Sequence, residues 1–159
     1  MPTITGILTS IKTVIANTTG VGQVHSYRRY VVNDAAFKAI GVTGSRVNFW
    51  QLWRQSVDER WPNAFQYQLI HHIQVQGFYS SKDASASEHT FQTLVDRIAN
   101  RFRLTTNRTL TDTVESLAAP GGMGGLQIQA IDHSMQYGNL SHACRGKIVV
   151  VENPTNFPD

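Results

Sequence analysis

Residues 64–79 run AFQYQLIHHIQVQGFY, and the alternation inside this stretch decides the fold. Phe65, Tyr67, Leu69, His71, Ile73 and Val75 fall on one face of an extended chain; Gln66, Gln68, Ile70, His72, Gln74 and Gln76 fall on the other. A period of two marks a strand with one face buried. Just before it, residues 47–60 (VNFWQLWRQSVDER) are rich in aromatic residues and valine, and Trp61-Pro62-Asn63 has the composition of a turn. The two runs predict a long antiparallel β-hairpin. Sixteen extended residues span about 50 Å at about 3.3 Å each, far more than an ordinary strand of about 5–6 residues. A strand of that length either bends or projects beyond its own domain, and a projecting hairpin gives a second subunit something to pair with.

Outward from the hairpin, helical and extended patterns alternate. Ile4, Ile7, Leu8, Ile11 and Ile15 lie on one stripe of a helix that Thr3 or Thr5 caps and Asn17-Thr-Thr-Gly20 ends. Residues 21–32 are strand-like, and Asn33-Asp34 caps a short helix from Ala35 to Ile40. After the hairpin, Ser85-Ala-Ser-Glu88 has the form of a capping box, followed by Phe91, Leu94, Val95, Ile98 and Phe102 at helical spacing. Residues 104–125 are polar and irregular and end in Pro120-Gly-Gly-Met-Gly-Gly125, expected to be a flexible loop. A strand near 126–136, a turn at 137–139 and a last strand ending in Lys147-Ile-Val-Val-Val-Glu152 complete the pattern. The expected fold is α+β: a mainly antiparallel sheet with a long hairpin and helices packed on one face, in one domain spanning 1–152, with 153–159 as a C-terminal tail.

The chain has 159 residues, of which 16% are charged, against about 25% in ordinary globular proteins. Polar uncharged residues take their place, which suits a surface covered by other subunits. Ten of the 14 basic residues are Arg, the type favoured in interfaces for its planar fork of donors. Residues 1–80 carry seven basic and three acidic groups (+4), and 81–159 carry seven basic and eight acidic (−1). No run of five like charges occurs, so the dense basic stripe of a nucleic-acid binder is missing from the sequence. The single cysteine allows no internal disulfide, the N-terminus has no export signal pattern, and no apolar run approaches the about 20 residues of a membrane span. These features predict a cytoplasmic protein with no membrane partner.

Candidate chemistry is sparse. His71 and His72 are adjacent, so in a strand they point to opposite faces and cannot share an ion. His25, His89, His133 and His142 have no ligand partner at a recognised metal spacing. His71 reads as a hydrogen-bonded core or interface histidine. Cys144 and His142 could share a face as a nucleophile and base, but a small buried residue is the simpler reading of Cys144. The glycine run lacks the Gly-Lys-Ser/Thr ending of a phosphate loop. Phe49, Trp50, Trp53 and Trp61 could form a base-stacking platform, though core packing explains most of them. Trp50 and Trp53 fall on opposite faces of a strand, so one of them is expected to be exposed as an interface anchor beside Arg54. No enzyme activity, metal or cofactor is expected.

The apolar N-terminal helix, the V-H-S-Y-R-R-Y stretch at 24–30, the N-F-W-Q-L-W-R strand at 48–54, the amphipathic helix after the hairpin and the closing strand pair resemble, in order and pattern, the tail terminator (tail completion) minor tail proteins of long-tailed phages. The resemblance covers most of the chain. It implies a virion structural protein that forms a ring, usually six-fold, caps the tail tube and joins it to the head connector. The implied partners are further copies of this chain, the tail tube protein and the head connector protein, with DNA touched only as a channel lining. The implied location is the host cytoplasm during assembly and then the virion tail. Head–tail connector (neck) and tail tube subunits share this style of fold, and a small nucleic-acid-binding module is a further alternative. The residues expected to contribute to interfaces are Arg28, Arg29, Trp50, Trp53, Arg54 and Arg60, with His72, Gln74 and Gln76 on the polar face of the hairpin.

Overall fold

A computed structural model describes residues 3–81, 86–118, 122–136 and 139–152. Its axis is the antiparallel pair β3 (Arg46–Asn63) and β4 (Gln66–Ser80), in register from Asn48↔Tyr79 to Asn63↔Gln66, with irregularities at Arg54/Ser56 and Arg60/Asn63. β6 (Asn139–Glu152) pairs antiparallel with β4, and β5 (Gln127–Gln136) with β6. On the other side, β1 (Gln23–His25) runs parallel to β3, and β2 (Val42–Thr43) pairs with its first residues. The strand order is β1-β3-β4-β6-β5 in a six-stranded, mostly antiparallel α+β sheet. Among the described residues four helices accompany it: α1 (Ile4–Ala16), α2 (Asp34–Gly41), α3 (Ser87–Arg103) and the short α4 (Thr105–Arg108). No helix among the described residues is long and apolar enough to cross a membrane.

The main core lies on one face of this sheet. Trp50 is 0% exposed and sits opposite Gly77, where a Cβ would stand 2.5 Å from the indole carbons. Only the bare glycine lets the indole lie flat across β4. Leu52, Ile73, Val75, Cys144, Ile148 and Val150 extend this surface, and α1 covers it with Ile7, Ile11 and Ile15. α3 adds Phe91, Leu94, Ile98 and Phe102, with Phe91 stacked on both Trp50 and Tyr79.

The helices do not all share that face. Neighbouring strand residues point to opposite sides, so Phe49 and Phe78 turn away from Trp50 and Gly77. α2 covers them: Phe37, Val47, Phe49, Phe78 and Ala143 form a second cluster, with Phe49 and Phe78 stacked at 4.8 Å. The expectation of one helical face fails because this end of the hairpin is apolar on both sides.

Three further expectations change. The strand predicted over 21–32 is formed only at 23–25, after which side chains replace the ladder: Gln51 accepts from the Arg29 N–H at 3.0 Å. α2 is tied back to β1, with the His25 ring N–H donating to the Ile40 carbonyl at 2.8 Å. α3 starts from a left-handed Ala86, whose methyl group offers no side-chain cap; the expected Ser85–Glu88 capping box depends on Ser85, which lies outside the described residues. Leu110, Val114 and Leu117 of the supposedly irregular 104–125 segment are buried in the main core, and Glu115 and Ser116 hydrogen-bond Val151. Gly125 donates to the Leu117 carbonyl at 2.7 Å, so the described end of the glycine run is tied down. Residues 119–121, residues 137–138 of the turn expected at 137–139, and the expected tail at 153–159 lie outside the described residues, while Asn139 already belongs to β6.

Replacing Gly77 with Ala forces the indole off β4 and is expected to lower stability by about 2 kcal/mol or more, measured by urea unfolding; unchanged stability would show that the Trp50–Gly77 contact is not tight.

Candidate functional site

Among the described residues, the β3 overhang, the β5 edge and a broad concave surface stand open. β1 leaves β3 at His25↔Gln51, and β6 leaves β4 at Leu69↔Glu152. Residues 54–66 are consequently exposed, and the hairpin overhangs the rest of the sheet. This overhang carries exposed apolar side chains, Val57, Trp61 and Phe65, the last 85% exposed. Its tip is ordered by side chains: the Phe65 N–H donates to Asn63 Oδ1 at 2.9 Å, Trp61 Nε1 donates to Glu59, and the Trp61 and Tyr67 rings meet at 5.6 Å.

The opposite edge is β5, which pairs only with β6 among the described residues. The pairs Ile128↔Gly146, Ile131↔Cys144 and Met135↔Leu140 place four apolar residues on the side that bears α1 and α3. The helices do not cover them: Ile128, Ile131 and Leu140 are exposed and Met135 is 65% exposed.

The concave surface lies on the other side of the sheet, past the end of α2. The 27–30 loop overhangs it, and strands β3, β4, β6 and β5 form its floor. Arg28 lies 4.2 Å above the Trp53 ring. The Arg29 guanidinium donates to the Tyr27 hydroxyl at 2.6 Å. Below them, Gln51 donates to Gln76 at 2.9 Å and Gln74 to Gln129 at 3.2 Å, an amide ladder crossing the sheet. Arg145 closes the far side, 3.8 Å from Asp132. The concavity measures about 580 Å³ and adjoins a second of about 470 Å³ beside Tyr27 and Arg54.

The structure therefore brings Arg28, Arg29, Trp53, Gln74 and Gln76 to one surface, with Arg54 at its rim. Arg60 is exposed on the overhang. His72 is half-buried and donates to Asp58 Oδ2 at 2.7 Å. Trp50 is a correction: it is wholly buried under the helices and anchors the core, while Trp53, on the opposite face, is half-buried beneath Arg28. Phe49 is buried too, which removes the supposed base-stacking platform. Arg145 and Gln129 escaped the sequence reading because β6 and β5 reach this surface only through the sheet, and Gln51, on β3, escaped it among its aromatic neighbours.

Other polar groups are internal. His71 is buried and donates from Nε2 to Glu152 Oε2 at 2.6 Å. Ser87 and His142, both buried, are hydrogen-bonded at 2.8 Å, and His142 stacks on Phe91. Cys144 is buried, and loss of solvation pushes its thiol up to about 12 from an ordinary 9.0, the opposite of an activated nucleophile. Among the described residues no group of three His, Cys, Asp or Glu side chains is placed to hold a metal ion. The chain matches no family model and no curated protein in sequence.

Because the thiol is held protonated, the native protein is expected to resist iodoacetamide at about pH 8 and to react once unfolded. The same shift means that Cys144 favours folding fully below about pH 9 and progressively less as pH rises toward about 12. Rapid alkylation of the native protein would contradict this burial.

Proposed function

We propose that this protein is a ring-forming structural subunit of a long-tailed phage tail, a tail terminator that caps the tail tube and joins it to the head connector. The observation that carries the assembly part of this reading is the pair of long unpaired sheet edges, each carrying exposed large apolar side chains. A protein that functions alone commonly covers or shortens such edges, because unpaired backbone groups recruit other strands. Here the β3 overhang and β5 differ in sequence and lie at opposite sides of the sheet. Contact between two different edges is head-to-tail, and its repetition closes into a ring or continues as a tube. The resemblance in element order supplies the rest: copies of the same chain as first partners, usually six per ring, with the tail tube protein on one side and the head connector protein on the other.

The overhanging hairpin also favours a second reading, a neck or tail tube subunit, because it extends far enough to reach a neighbouring layer. Electron microscopy of assembled material separates the two, since closed single rings fit the terminator and stacked tubes fit the alternative.

The wild-type protein is expected to run as an oligomer in analytical ultracentrifugation. Val57→Glu on the overhang and Ile131→Glu/Met135→Glu on β5 are each expected to give a folded monomer. Mixing the two variants leaves one intact edge on each chain, so head-to-tail contact predicts a dimer and nothing larger. A wild-type chain that stays monomeric at all concentrations, alone and with tail tube protein, would sink the ring.

A further inference from the structure

We propose that the arginine-lined concavity beneath the 27–30 loop binds a single strand of nucleic acid. This site is separate from the apolar edge residues and stands whether or not those edges build a ring.

Charge is the first reason. Arg28, Arg29 and Arg145 converge on one concavity, Arg54 borders the adjoining one, and no carboxylate lines either among the described residues; Asp132 approaches Arg145 only at 3.8 Å. Such a surface is complementary to a polyanion. Arg28 is already held against Trp53 and Arg29 against Tyr27, so their guanidinium planes are partly fixed before a phosphate arrives.

The aromatic groups select the kind of polyanion. Tyr30 is 83% exposed and Tyr27 56%, large rings that flank Arg28 and Arg29 in the loop. Aromatic faces interleaved with cationic side chains are what unstacked bases require. A duplex keeps its bases stacked inside and has no use for them. An acidic polypeptide would satisfy the guanidinium groups but leave these rings without a flat partner. Beneath them, Gln74 and Gln76 each make one amide hydrogen bond, leaving the Gln74 carbonyl to accept and the Gln76 amino group to donate at base edges, while Gln51 is committed at both ends, to Gln76 and to the Arg29 N–H. The two adjoining concavities share Arg28, Tyr30 and Trp53, which makes an open track for a strand and not a closed pocket for one small anion.

The test is fluorescence anisotropy with fluorescein-labelled oligothymidylate of about 15 nucleotides, within the about 4–16 nucleotide sites of comparable modules. Three or four phosphate contacts predict an affinity loss of about 20- to 50-fold between about 50 and 200 mM salt. Arg28→Ala/Arg145→Ala is expected to weaken binding more than about tenfold and to flatten the salt slope by about 1.4, two contacts at about 0.7 each. Tyr30→Ala is expected to weaken binding about fivefold or more while leaving the salt slope unchanged. Both variants alter exposed side chains, and circular dichroism verifies their folding. Lys38→Ala, remote on α2, is expected to bind like wild type. No binding at low salt, or equal binding by wild type and both variants, would overturn the site. A duplex of the same length binding as tightly as the single strand would overturn the single-strand assignment, and polyglutamate competing equally at matched charge would transfer the surface to an acidic polypeptide.

Discussion

The structure depends on the contact between Trp50 and Gly77. The largest core side chain lies at the centre of the sheet, and the residue across from it has no side chain at all. That contact fixes the register of the hairpin, because a one-residue slip would place a Gln or a Phe beneath the indole. The same row continues across the sheet through Gly77↔Cys144 and Cys144↔Ile131. It also fixes what faces the other way. Gln51, Gln76, Trp53 and Gln74 share the opposite surface because Trp50, Leu52, Ile73 and Val75 are committed to the core.

The two faces of the sheet are covered unequally. α1 and α3 close the main core, whereas α2 reaches only the end occupied by Phe49 and Phe78. The rest of that second face is kept polar by amide-to-amide hydrogen bonds and by arginines that stack on aromatic rings, interactions that tolerate water and do not draw a helix down upon them. The open edges carry their own restraint. Along the overhang, Arg54, Asp58, Glu59 and Arg60 interrupt Val57 and Trp61, which discourages indiscriminate strand pairing while leaving a complementary edge able to dock.

Two buried polar pairs mark the limits of the core. His71–Glu152 lies where the hairpin leaves the body of the sheet, and Ser87–His142 lies where α3 begins. Removing either His71 or Glu152 would strip the other of its hydrogen bond inside the core, which costs more than the pair itself contributes. Such pairs act on specificity: they define which residue of β4 meets the end of β6, and where α3 docks.

The sequence by itself determined the element types and much of the core. The alternation at 64–79 marks a strand because side chains in extended chain point alternately to two faces, and the spacing of Ile7, Ile11 and Ile15 or of Phe91, Leu94 and Ile98 marks helices because only a 3.6-residue period aligns them. These signals are local, so they survive without knowledge of neighbours. What only the tertiary structure decided is everything that depends on residues far apart in the chain: α2 on the second face, Leu110 and Leu117 inside the core, and Trp50 fully buried where Trp53 is only half-buried. The cleft is the clearest case. Arg28 and Arg145 are more than a hundred positions apart, and no run of basic residues announces them; the sheet brings them together because β6 lies beside β4 and β4 beside β3, with the 27–30 loop overhead.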